Sequence, residues 1–153
     1  MLPVAFLALL LALTLAAWVI DGARRRRRSC ILRARAAAWG MQFVPEDRFG
    51  LVARVAAVFP VPGIANLRVR DVMYLVEGDR HRFLFTAEYT QGVLRHQDRI
   101  RRAVAFCEPA ARNAADTPAC VALAGRDLPL AEQYQALRDR PAGSAAAAVP
   151  ASS

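Results

Sequence analysis

The sequence predicts an α+β protein: one N-terminal transmembrane helix, then a small antiparallel β-meander domain packed by a helix, plus a short C-terminal helix. Three observations predict it. Met1 to Ile20 carry no charged side chain, an unbroken run of five arginines follows at 24–28, and residues 64–108 alternate apolar and polar positions between turn signals.

The opening stretch, MLPVAFLALLLALTLAAWVI, has Thr14 as its clearly polar side chain. Twenty helical residues rise about 30 Å, the thickness of a bilayer's hydrocarbon core. Pro3 falls in the first turn, where its missing N–H costs little. Trp18 lies near the far end, where an indole sits at headgroup level. Residues 1–20 are therefore expected to form a membrane anchor. A cleaved signal peptide is the competing reading, but it wants a positive flank that MLP lacks and a shorter apolar stretch. Arg24, Arg25, Arg26, Arg27 and Arg28 resist translocation and assign their flank to the cytoplasm. The expected location is the bacterial inner membrane, single-pass, with the N-terminus out and the folded part inside. The run also attracts anionic lipid, by about 1 kcal/mol for each arginine. Cys30 beside it is a candidate for acylation.

The net charge of +8 suggests a nucleic-acid binder until it is divided along the chain. Seven arginines fall between Arg24 and Arg35, whereas from Ala36 onward 14 arginines face 12 acids. The basicity is thus a feature beside the anchor, and specific nucleic-acid binding is not expected. There is no lysine, which excludes a Schiff-base or P-loop lysine and reads as codon usage in a GC-rich bacterial genome. Cys30, Cys107 and Cys120 form no CxxC and no zinc-like spacing.

Residues 21–40 read as a basic juxtamembrane helix. Ile31, Leu32, Ala36 and Trp39 share one face, and Gly40 is placed to end it. MQFV reads as a short strand stopped by Pro45. LVARVAAVF suits a helix through Leu51, Val52, Val55 and Phe59, broken by Pro60 and Pro62. The clearest pattern begins at Ile64. Leu67 and Val69 are apolar, then the parity switches to Val72, Tyr74 and Val76, which implies a bulge near Asp71. EGDR turns the chain, and Phe83, Phe85, Ala87 and Tyr89 return along one face. After QG, a third strand carries Ile100, Val104 and Phe106. Residues 41–108 are expected as a three-stranded meander with one face covered by the helix ending at Trp39, and arginines on the other. Residues 109–140 form an extension in which Asp127 caps a helix with a Leu130, Tyr134 and Leu137 stripe. Residues 141–153, PAGSAAAAVPASS, are expected to be a disordered tail.

Chemistry-bearing groups are sparse. His96 and Asp98 share a strand face, but a metal site needs three or four ligands. Of the four serines, Ser29 abuts the apolar stretch and Ser144, Ser152 and Ser153 lie in the tail; none sits in GxSxG. HExxH, GxGxxG and the P-loop pattern are all missing, so no cofactor is expected. Glu88 beside Tyr89 reads as an exposed single carboxylate, not an acid–base pair. Arg95, Arg99, Arg101 and Arg102 form a basic strip on the sheet that suits phosphate, lipid or an acidic partner.

The pieces RARAAAWGMQFVPED, VMYLVEGDRHRFLFTAEYT and RRAVAFCEP resemble a broad group of bacterial single-pass membrane proteins without an established activity, over residues 1 to about 108. In that group an apolar anchor and an arginine-rich helix lead to a small β domain. Its middle strand often reads Leu-Phe-Asp-Tyr-x-Tyr; here it is LFTAEYT, with Thr86 in the place of the acid. The resemblance implies an architecture without a function. The expected role is non-enzymatic: a single-pass protein in the lipid bilayer whose cytoplasmic domain binds a protein partner, as an accessory subunit of a membrane assembly. Two alternatives stand beside it. One is an exported β domain with a cleaved signal and a Cys107–Cys120 disulfide; the other is an anionic-lipid or nucleic-acid-binding module.

Overall fold

A computed structural model describes residues 2–92, 98–110 and 119–140, and within them the side chains of all but 2–5, 8 and 25. The chain is α+β. Helix α1 (Leu2–Ala38) leads to strand β1 (Gln42–Glu46) and a short helix α2 (Leu51–Ala56). Strands β2 (Ile64–Glu77), β3 (Arg80–Gln91), β4 (Asp98–Pro109) and β5 (Cys120–Leu123) follow, then helix α3 (Leu130–Arg138). The five strands form one antiparallel sheet in sequence order, β1-β2-β3-β4-β5.

α1 is a single helix of 37 residues, about 55 Å long, with no break between the apolar stretch and the arginine run. It ends in a Schellman arrangement: the Met41 N–H donates to Ala36 (2.8 Å), the Gly40 N–H donates to Ala37 (3.1 Å), and Gly40 takes φ +68°. That turn drops the chain directly into β1. Asp47 then starts α2 from outside it, one carboxylate oxygen accepting the N–H groups of Phe49 and Leu51 and the other that of Val52.

The meander has five strands rather than three, and both of its faces are covered. On one face α2 sets Leu51 and Val55 against Phe83, Phe85, Val104 and Phe106, with Phe49 and Phe59 edge-on to neighbouring rings. On the other, Leu32 and Ala36 of α1 and Tyr134 and Leu137 of α3 close over Met73 and Leu84. Ala103, Ala105 and Ala122 line this second face, and their small side chains let the helices approach the strands. Burial on both sides explains why Phe83 to Tyr89 is buried at every position, Thr86 and Glu88 included.

Several expectations need correction. Pro45 does not stop β1; it lies within the strand, which an edge position permits. Asp127 does not cap α3, whose N-cap is Pro129 without a side-chain bond. Gln133 instead ties the helix start, accepting from the Ala103 N–H and donating to the Leu128 carbonyl. Ile31 faces away from the sheet and is 57% exposed. Glu88 is 8% exposed, not a surface carboxylate. The bulge near Asp71 is present: the β2–β3 register shifts between Arg70 and Met73, and Asp71 takes φ +53°. Among the described residues no helix is long and apolar enough to cross a membrane, so the structure carries the α+β part of the expected architecture and not its transmembrane part. The expected tail at 141–153, together with Arg95 and His96, lies outside the described residues.

Candidate functional site

Where α1 passes over the sheet, charged side chains from five elements meet in a cleft of about 640 Å³. Its walls come from α1, from the end of β1, from β2 at the bulge, and from the facing ends of β3 and β4. The arginine run supplies the first of these groups unevenly. Arg24, Arg26 and Arg27 are exposed, but Arg28 lies four residues before the buried Leu32 and so turns onto the sheet. Its Nε is 3.8 Å from an Asp71 oxygen, and one terminal nitrogen is buried without a hydrogen-bond partner.

Asp71 reaches this position because the bulge drops it out of the β2–β3 register. Its displaced backbone carbonyl accepts a hydrogen bond from the Tyr134 hydroxyl (3.2 Å), which lies 2.8 Å from the Thr86 hydroxyl. A buried tyrosine on α3 and a buried threonine on β3 thus fix the bulge from below. Opposite, Glu88 and Arg101 are direct cross-strand partners. Arg99 donates to one Glu88 oxygen at 2.9 Å, and Arg101 lies 3.1 Å from the other.

The two carboxylates respond oppositely to this setting. Burial raises the pKa of Asp71, and the charges of Arg28, Arg101 and Arg70 offset only part of that rise. Burial also pulls Glu88 upward, but the Arg99 hydrogen bond and the charges of Arg101, Arg99 and Arg70 prevail and hold it below its usual range. Arg28 is lowered, by burial and then by Arg101, with Asp71 acting against both. Burial pushes the Tyr134 hydroxyl far up, so it stays a neutral donor.

The sequence-derived basic strip divides. Arg99 and Arg101 share a face and are tied to Glu88, whereas Arg102 falls on the opposite face and donates to the Ala124 carbonyl. Cys107 and Cys120 stand directly opposite each other in β4 and β5 as free thiols. Burial, then the neighbouring Cys120, raises Cys107 to about 11. Trp18 is 77% exposed and touches none of this.

Sequence reasoning missed Arg28 as a folded-unit residue and missed Asp71, Glu88 and Tyr134 as a group. The signal for Asp71 was the parity switch itself, since an acid at a bulge is aimed away from the strand's alternation. Glu88 was hidden because its arginines lie on the next strand. Ser29 lines the cleft, and among the described residues no three metal-ligating side chains gather. No known protein family, no curated protein and no solved structure matches the chain.

Proposed function

We propose that the chain is a non-enzymatic, single-pass inner-membrane protein whose cytoplasmic α+β unit binds a protein partner, as an accessory subunit of a membrane assembly. The observation that supports this reading is the first half of α1. Phe6, Leu7, Leu9, Leu11, Leu13, Leu15, Val19 and Ile20 are all more than half exposed, and at about 100° per residue they point to every side of the helix. A continuous apolar surface of this kind does not remain in water; lipid or another protein covers it. The uncharged length of 20 residues fits a bilayer, and the arginines behind it set the orientation. The charged cleft, with its paired acids and bases, suits a polar partner surface.

Cys30 is the best probe of orientation, because it is exposed while Cys107 is buried. With intact cells and a membrane-impermeant maleimide, Cys30 should label only after lysis, and the chain should resist carbonate extraction. Release by carbonate would remove the anchor. Purification in mild detergent that returns only the bare monomer would remove the partner.

A second reading is favoured by one observation: Cys107 and Cys120 are exact register partners, which suits a disulfide in an exported unit. A mature N-terminus beyond residue 17, with these cysteines oxidised, would establish it in place of the anchor.

A further inference from the structure

On the other flank of α1 from Asp71 lies a second groove, of about 590 Å³, between the helix and the segment that starts α3. Arg24, Arg27, Arg28, Arg35, Arg101 and Arg126 line it, and among the described residues no acidic side chain does. Between them Ile31 and Leu128 stand 57% and 41% exposed. Arg35 is occupied with the Ala131 carbonyl (2.8 Å) and Arg101 with Glu88 (3.1 Å). Among the described residues, Arg24, Arg27 and Arg126 meet no carboxylate, and Arg28 keeps a buried nitrogen without a partner. Such a concentration of guanidinium groups calls for an anion, and guanidinium geometry matches phosphate oxygens in pairs.

Position identifies the source of that phosphate. Along the helix, Arg24 lies about 6 Å and Arg27 about 10 Å beyond Ile20, where the apolar stretch ends. If that stretch fills the hydrocarbon core, Arg24 stands in the layer of lipid headgroups, which is about 5–8 Å thick on each side, and Arg27 stands just outside it, its long side chain able to reach back. We infer that this groove holds the phosphate headgroup of an anionic phospholipid, with Arg126 reaching it from the segment before α3 and Ile31 and Leu128 lying against its uncharged parts. The inference rests on the anchored reading above.

A diffuse basic run and a built groove make different demands on Arg126. It is 98 positions from Arg28, so a topology signal does not need it, whereas the groove does. The test uses the full chain equilibrated in neutral-detergent micelles with equal phosphatidylcholine and phosphatidylglycerol, followed by native mass spectrometry of the retained lipid. Phosphatidylglycerol should be retained over phosphatidylcholine. Arg126→Ala should cut that retention about fivefold, Leu128→Gln should also lower it, and Arg26→Ala, at an exposed position off the groove, should lower it less. Equal losses for R126A and R26A would leave only diffuse attraction and overturn the groove. Displacement of the lipid by inorganic phosphate would overturn the lipid as its occupant. A chain that floats with pure phosphatidylcholine vesicles but shows no preference for phosphatidylglycerol overturns the groove and leaves the anchor standing. One that does not float at all overturns both.

Discussion

Glu88 and Asp71 sit in one cleft with opposite shifts, and this makes their contributions separable by pH. The depressed Glu88 contributes stability that is full above its unfolded value near 4.5 and is lost as pH falls through the folded value. Asp71 is raised, so the folded chain holds its proton more tightly, and stability declines as pH rises from 3.8 through the folded value. Glu88→Gln should therefore cost about 1 kcal/mol at pH 7, since its partners are largely solvated. That cost should shrink toward pH 3. Asp71→Asn should gain on the wild type as pH rises across the same range. Denaturant titrations of the full chain in neutral detergent would show whether the two differences run in opposite directions. Cys107 offers an independent residue-scale check. With its thiol raised to about 11, it should alkylate more slowly than Cys30 and Cys120, its rate climbing with pH toward that value. Ready labelling of Cys107 at pH 7 would mean that β5 does not cover it.

The elements show why part of the fold could be read from the chain and part could not. The Phe83, Phe85, Ala87 and Tyr89 alternation was legible because one whole side of β3 is aromatic and apolar. The bulge was legible from the switch at Val72. The second core was not, because Thr86 and Glu88 break the pattern on that face, while Ala103 and Ala105 carry too little apolar surface to stand out. They matter through their smallness, which no hydropathy pattern records. β5 escaped notice because it contributes only four residues, CVAL, beyond a patternless stretch. α2 was legible as apolar spacing, but not the device that pins it. Arg54 pairs with Glu108 while its guanidinium lies 5.5 Å from the Phe83 ring centre and 5.7 Å from that of Phe106. Arg54→Met keeps the stem and removes the charge; it should destabilise the folded unit by about 2 kcal/mol. A thermal melt unchanged from wild type would show that α2 is held by Leu51 and Val55 alone.

For the whole molecule, the decisive feature is that α1 belongs to two environments at once. Its first half is bare apolar surface; its second half contributes Leu32 and Ala36 to a core. In the anchored reading, Ala38 lies about 27 Å along the helix from Ile20, so the far end of the folded unit should hang well below the headgroups that its near end meets at Arg24. Trp39, beside the far end, reports that distance once Trp18 is removed. In a Trp18→Phe chain in vesicles, brominated lipid should leave the Trp39 emission unquenched. Strong quenching would mean that the unit lies against the bilayer.

Because nothing in α1 between Asp21 and Ala38 interrupts the helix, the folded unit has no swivel. Each residue advances a helix by about 100°, so the bearing of every surface on the sheet is geared to the bearing of the apolar half of the helix. One added residue in that stretch would swing the cleft through about a quarter turn and lower it by about 1.5 Å; seven would bring it nearly back, one storey down. A partner that grips both the apolar helix and the sheet would then follow the phase of the insertion rather than its length.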